Sequence, residues 1–197
     1  MEKNHSKKVL FIACGTLREE LNHIVMQKYP SAGVQFTNPT LDINPSTLDT
    51  TVKSLLDINA DAEKIILVFG RCSPHMDSLV DNVRVFRLRG GSCYEILLGD
   101  AFSRIMREEP GSYFLTPFLC INFTRAVIEP LRLTSHALKE RFFRNYRQVI
   151  LIDTGLHTGL EERGIEVSVF LNLPLKVLKI DLEELGRRVD EAVCKSA

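Results

Sequence analysis

The sequence of 197 residues has no excess of charge of either sign and no long apolar run. Lysine and arginine together number 25, as do aspartate and glutamate, so it lacks the basic excess that supports non-specific nucleic-acid binding. No apolar stretch approaches the roughly 20 residues that span a bilayer, and the polar start MEKNHSKK is unlike a secretory signal. These absences predict a cytoplasmic protein that binds neither nucleic acid nor a membrane.

Cysteine pairs with a diagnostic spacing are also lacking. None of the five cysteines forms a CxxC pair, so the ordinary zinc-ribbon and thioredoxin signatures are absent. Five cysteines in a chain of this size do not make a disulfide scaffold, and a reducing compartment keeps them as thiols. The sequence contains neither a Walker loop nor a G-x-G-x-x-G fingerprint, so nucleotide binding has no specific support.

Short apolar runs alternate with segments of helical spacing along the whole chain. The runs predict strands over residues 8–13, 34–37, 64–69, 83–88, 113–115, 149–152 and 167–171. One apolar stripe predicts a helix over residues 94–106, and a last helix is predicted over residues 182–193. This alternation favours a single-domain α/β fold over residues 1–197, with a mainly parallel, Rossmann-like sheet and helices on both faces. Residues 1–7 are predicted to be a disordered N-terminal tail.

Three of the cysteines stand where a predicted strand gives way to small or polar residues. They are Cys14 in VLFIACGT, Cys72 in IILVFGRCSPH and Cys93 in VRVFRLRGGSCYE. The carboxyl ends of parallel strands form the ligand-binding edge of an open α/β sheet. We therefore expect three thiols from separate segments to converge on one metal ion or cluster. Cys120, inside an apolar run, is predicted to be core, and Cys194 to be incidental.

The type of centre stays open at this point. Three cysteines would leave one iron of a four-iron cluster without a protein ligand, since such clusters usually take four. Three ligands and a water also describe an open zinc site, and His75, in C-x-x-H with Cys72, could complete a closed one. Two readings need no metal. Free cysteine is often simply buried, and Cys72 or Cys93 could act as a nucleophile or cycle through a disulfide.

Two neighbouring features suggest an anion near the thiols. Arg87 and Arg89 share a face of a regular strand, and arginine can hold a carboxylate or phosphate bidentately. Gly91 and Ser92 precede a helix and could present backbone N–H groups to an anion. Solvated or locally paired arginines are the plainer interpretation. The predicted cofactor-binding set is thus Arg87, Arg89, Gly91 and Ser92.

Several segments together resemble a known family. They are ACG at Cys14, the G-x-C that ends at Cys72, GGSCYEILLG at Cys93, and EEPGSYFLTPFL from Glu108 to Leu119. The chain is similar from Val9 to Gly155 to the bacterial and archaeal family catalogued as domain of unknown function 1638.

The resemblance implies that the three strand-end cysteines match cysteines characteristic of that family, and that Pro110–Thr116 matches its PGTYFLT-like segment. The chain departs from the pattern at Ser92, where many relatives have histidine, and in LDINP around Asp42, where many have a His-Asn pair. If these histidines assist the cysteine site in relatives, this chain lacks that assistance or other residues provide it. Some relatives are associated with gene neighbourhoods of corrinoid-dependent methyltransferases.

The leading hypothesis is that Cys14, Cys72 and Cys93 bind an iron–sulfur cluster of the 4Fe-4S type, with zinc as the alternative. The centre would serve chemistry on a small anionic molecule, such as sulfur or one-carbon transfer, or redox support of a corrinoid methyltransferase system. The rival hypothesis is a non-enzymatic accessory protein that binds a cofactor or a partner and has structural or zinc-binding cysteines. Enzymatic activity and oligomeric state, a homo-oligomer included, stay open.

Overall fold

A computed structural model describes residues 9–133 and 135–195, so the predicted tail over residues 1–7 lies outside the described residues. The chain divides into two compact units. The first unit contains the described residues up to Leu97 together with those from Glu183 onward, and the second unit is Leu98–Leu182. Each unit has its own parallel sheet, which confirms the α/β class. The predicted strands are thus divided between two sheets. The single domain predicted over residues 1–197 contains both units and stays a prediction.

The first unit is built on a four-stranded sheet. Its elements are β1 (Val9–Cys14), α1 (Arg18–Lys28), β2 (Gly33–Thr37), α2 (Pro45–Ile58), β3 (Lys64–Val68), β4 (Val85–Arg87), α3 (Cys93–Leu98), which ends at the unit boundary, and α8 (Glu183–Cys194). The strand order is β2-β1-β3-β4, and all three pairings are parallel. Leu10 to Ala13 of β1 and Ile65 to Val68 of β3 have no solvent exposure, as expected of strands buried on both faces of a parallel sheet.

The second unit is built on a three-stranded sheet. Its elements are α4 (Asp100–Glu108), β5 (Ser112–Leu115), α5 (Pro117–Ile121), a π-helix (Thr124–Ile128), α6 (His136–Phe143), β6 (Gln148–Asp153), α7 (Leu160–Leu171) and β7 (Leu175–Lys179). The order is β5-β6-β7 with parallel pairings. The central strand β6 is buried from Val149 to Ile152 and packs with apolar residues of α5 and α7.

Two sequence predictions about elements are wrong. Residues 167–171 were expected to form a strand but are the last turns of α7. Val167 and Leu171 are buried while Val169 is 73% exposed, a pattern that a helix allows because residues four apart share a face. The helix predicted over residues 94–106 is interrupted, because Gly99 adopts a φ of 58° between α3 and α4. In the described residues, no helix has the length and apolar character needed to cross a membrane.

Candidate metal centre at the carboxyl edge of the first sheet

The first two thiols lie at the point where the strand order of the first sheet reverses. From β1 the chain passes to β2 on one side of β1, and then to β3 on the other side. Such a reversal leaves a crevice beyond the carboxyl ends of the two central strands, where α/β proteins bind ligands. Cys14 is the last residue of β1, and Cys72 follows β3 in the next loop. The structure thus places both at the edge where we expected them.

The loops that carry Cys72 and Cys93 are packed backbone against backbone. A Cβ atom added to Gly70 would lie 2.5 Å from Ser92 Cα and 2.8 Å from Gly91 O. The backbone N–H of Arg71 donates a hydrogen bond to Gly91 O at 2.8 Å. This close approach requires glycine at position 70, and it brings the segment before Cys72 against the segment before Cys93.

Cys93 is the first residue of α3, and the residues around it cap that helix. Ser92 Oγ accepts a hydrogen bond from the backbone N–H of Glu95 at 3.1 Å. The carboxylate of Glu95 in turn accepts a hydrogen bond from the backbone N–H of Gly91 at 2.7 Å. These contacts form a variant of the capping box in which the glutamate accepts from the residue before the capping serine, so both Ser92 and the Gly91 amide take part in starting the helix. Their predicted binding of an anion stays a prediction.

Arg87 links the loop that follows β3 to the loop that follows β4. Its Nη1 donates to Phe69 O at 3.0 Å and to Gly90 O at 2.9 Å, and its Nη2 lies 2.8 Å from a carboxylate oxygen of Asp77. The Arg87 side chain is only 11% exposed. These contacts give the guanidinium a structural role between the loops after β3 and β4, while its predicted binding of an anionic group stays a prediction.

Arg89 has a different setting from Arg87. It lies beyond the end of β4 and is exposed, and its backbone carbonyl accepts a hydrogen bond from the buried Arg188 of α8. Arg188 is held in place by Glu184, at 2.7 Å. Helix α8 therefore supports the loop that leads to Cys93, a contribution that the sequence did not reveal.

The three thiols interact with one another through Cys93. Side-chain hydrogen bonding with Cys93 is the largest cause that lowers the pKa of Cys14 to about 7, against the opposing effect of burial. The same kind of contact with Cys93 is the largest cause of the lowered pKa of Cys72. The pKa of Cys93 itself is raised well above its usual value, because hydrogen bonding with Cys14 and Cys72 and desolvation of the thiol favour its protonated form. Cys14 also forms a hydrogen bond with Thr16 Oγ1 at 3.3 Å.

One carboxylate near the thiols influences their pKa values, and the sequence analysis did not predict this role. Asp42, in the loop after β2, raises the pKa of both Cys14 and Cys72 by its negative charge. Its own pKa is raised by partial desolvation, although the residue keeps solvent exposure. The sequence feature that could have indicated this role is the position of Asp42 in the LDINP segment, which follows β2 of the same sheet.

His75 does not join the thiols. It is exposed, its backbone N–H donates to Ser73 Oγ at 3.0 Å, and it is not among the main influences on any of the three thiol pKa values. Ser73 is buried and hydrogen-bonded to Asp49 of α2, which fixes the loop directly after Cys72. Within residues 9–133 and 135–195, no group of three or more His, Cys, Asp or Glu side chains is arranged to hold a metal ion as it stands.

The other two cysteines differ in burial, and the prediction that Cys120 is a core residue is confirmed. Cys120 is buried in α5 of the second unit, where its Sγ lies 3.7 Å from Leu160 O. Burial raises the pKa of Cys120 to about 11. Cys194 is exposed at the end of α8.

A comparison with protein-family models gives a match. The model of a family described as a protein of unknown function, DUF1638, matches residues 36–189, which confirms the resemblance seen in the sequence. The matched range contains Cys72 and Cys93, whereas Cys14 precedes it. No curated protein matches the chain.

Proposed function

The chain belongs to the DUF1638 family of proteins of unknown function, and we propose that it binds a thiolate-ligated metal centre through Cys14, Cys72 and Cys93. The observation that carries the proposal is the packing of Cys14, Cys72 and Cys93 into one cluster of side chains, in which hydrogen bonding with Cys93 is the largest cause of the lowered pKa of the other two thiols. These side chains come from three segments that are far apart in sequence, and all three follow strands of one parallel sheet.

A comparison within the chain separates this proposal from simple burial of cysteine. Cys120 is a buried thiol among hydrocarbon, and its pKa is raised to about 11. Cys14 is also buried, yet its pKa is lowered to about 7. The thiolate is the form of cysteine that binds metals, so Cys14 is prepared for ligation near neutral pH and Cys120 is not.

We propose an iron–sulfur cluster as the centre, with zinc as the alternative. His75 is exposed, and none of the hydrogen bonds of the described residues joins its side chain to a thiol, so a closed site with three cysteines and this histidine has no support from its contacts. Three thiolates leave one iron of a four-iron cluster open to substrate or to an added ligand. The three cysteines belong to one packed cluster, and metal binding requires their side chains to turn toward a common centre, which rotation about χ1 permits.

The proposed centre would supply redox or Lewis-acid chemistry to a small anionic molecule. Sulfur transfer, one-carbon transfer, or redox support of a corrinoid methyltransferase system fits such a site. Arg89, exposed on the loop before Cys93, is the arginine available to an anion there, because the Arg87 guanidinium already binds three backbone carbonyls and Asp77. A reducing compartment, the cytoplasm, would keep the thiols free for the metal.

Metal and sulfide analysis after purification without oxygen tests the proposal. We expect stoichiometric iron and acid-labile sulfide in the wild-type protein, directly or after reconstitution, and loss of both in the Cys14→Ser, Cys72→Ser and Cys93→Ser variants. Cys194→Ser is the matched control, because Cys194 is exposed and distant from the site in sequence. It should keep the full metal content.

The same analysis distinguishes the alternatives. Stoichiometric zinc without sulfide, lost in the same three variants, would replace the cluster by a zinc centre. Wild-type protein that holds no stoichiometric metal after reconstitution with iron and sulfide, or with zinc, would overturn the proposal.

A further inference from the structure

A separate cavity lies in the second unit, between the π-helix segment and α7. Its volume is about 410 Å³, and every residue that lines it belongs to the second unit. Pockets for small molecules commonly measure roughly 300–1,000 Å³. We propose that this cavity binds a small monocarboxylate with an aliphatic or aromatic body, independently of the thiol site.

The apolar part of the cavity is formed by well-packed side chains. Phe123 and Val167 are almost fully buried, and Phe123 meets Phe170 edge to face with ring centroids 6.0 Å apart. Ile128 also lines the cavity. Because these side chains are held by their neighbours, the cavity offers a preformed apolar surface, which lowers the ordering cost of binding.

The polar part of the cavity has an excess of one positive charge. Arg125 and Arg163 line it together with a single carboxylate, Glu166. Glu166 is paired with Arg163 at 2.8 Å. Among the ion pairs of the described residues, none involves Arg125, so its guanidinium is available to a ligand. A guanidinium beside an apolar surface suits a carboxylate, which it can hold with two parallel hydrogen bonds.

The backbone at this wall is unusual. Thr124–Ile128 forms a π-helix, with the N–H of Glu129 bonded to Thr124 O at 2.9 Å. Three of its five residues, Thr124, Arg125 and Ile128, line the cavity. Short π-helical turns are rare and occur often at functional sites. Here the π-helix places the unpaired arginine and an apolar side chain at the same cavity.

The charges also limit the class of ligand. Glu166 would repel a second negative group, and one unpaired arginine is too little to neutralise a phosphate chain or a dicarboxylate. An amine would meet two arginines. A monocarboxylate attached to a hydrocarbon body satisfies both the apolar wall and the single excess positive charge.

Calorimetric titration of the whole protein with three eight-carbon probes tests the inference. Octanoate, 1-octanol and octylamine share the chain and differ in the head group. We expect octanoate to bind at least tenfold more tightly than 1-octanol, and octylamine not to bind. In Arg125→Gln, octanoate affinity should fall about 10–100-fold, as expected when a charge-assisted contact is lost, while 1-octanol affinity stays unchanged.

Arg107→Gln is the matched control, because Arg107 is an exposed arginine of the second unit that does not line the cavity. It should bind octanoate as the wild type does. Absence of octanoate binding, equal affinity for octanoate and 1-octanol, or unchanged octanoate affinity in Arg125→Gln would overturn the inference. The titration needs no metal, so its outcome is independent of the thiol site.

Discussion

The contact between Gly70 and the backbone before Cys93 gives a sharp test of how the thiol site is held together. In Gly70→Ala, the new Cβ would lie 2.5 Å from Ser92 Cα. Relaxing this distance to 3.4 Å, the lower limit of ordinary contact, moves the two loops apart by about 0.9 Å. The opposing atoms belong to the backbone, so no side-chain rotation can relieve the overlap. The shift also stretches the 2.8 Å bond from Arg71 N–H to Gly91 O beyond hydrogen-bonding distance.

The expected cost follows from these two effects. Overpacking of a close contact costs about 1–3 kcal/mol, and a lost hydrogen bond costs about 1 kcal/mol. For a chain of this size, each kcal/mol lowers the melting temperature by roughly 2–4 °C. We therefore expect Gly70→Ala to melt roughly 4–16 °C below the wild type, as measured by far-UV circular dichroism.

A second readout follows the thiols directly. Separation of the loops weakens the hydrogen bond between Cys72 and Cys93, which is the main cause of the lowered pKa of Cys72. In metal-free Gly70→Ala, the pH dependence of iodoacetamide alkylation at Cys72, followed by peptide mass mapping, should shift to higher pH. An unchanged alkylation profile together with a wild-type melting temperature would refute this account of the site.

Gly186→Ala is the matched control for this experiment. Gly186 lies inside α8, and the nearest atom to an added Cβ is Lys28 Nζ at 3.3 Å, the end of a flexible side chain. Alanine is favoured over glycine inside a helix by about 0.5–1 kcal/mol. The control should therefore melt at or above the wild-type temperature with unaltered thiol chemistry.

Two further predictions concern residues around the site. In the metal-free protein, alkylation of Cys14 should rise with a midpoint near pH 7, because the pKa of this thiol is lowered to about 7. Cys120 should stay unreactive until near pH 11, because burial raises its pKa to about 11. Equal pH profiles for the two thiols would contradict the proposed role of Cys93. Arg188→Met removes the hydrogen bond that the buried Arg188 side chain donates to Arg89 O. The free energy of unfolding, measured by urea denaturation, should fall by about 1–3 kcal/mol. A free energy of unfolding equal to that of the wild type within error would show that α8 does not support this loop.

The positions of the thiols could be predicted because each depends on a local pattern. β1 and β3 are continuous apolar runs that end at small or polar residues, so Cys14 and Cys72 were expected at strand ends. Parallel pairing then brings such ends to one edge. The role of Arg87 could not be predicted, because its partners are carbonyls of two loops whose approach depends on Gly70.

The errors in the second unit have a related cause. Residues 167–171 are rich in β-branched and aromatic side chains, which are typical of strands, but packing of Val167 and Leu171 against the second sheet keeps them helical. β7 (Leu175–Lys179) escaped prediction because it is an edge strand whose lysines interrupt the apolar pattern. The division of the strands into two sheets has no local signature, since no single segment encodes its pairing partner.

The order of synthesis gives the contact between Arg188 and the Arg89 carbonyl a consequence for maturation. The ribosome makes α8 only after the entire stretch from Leu98 to Leu182, so the hydrogen bond from Arg188 to the loop before Cys93 forms later than the rest of the thiol site. A nascent chain in which Cys14, Cys72 and Cys93 have all been synthesised still lacks this hydrogen bond. Binding of a metal at this edge is therefore expected to follow the synthesis and folding of α8.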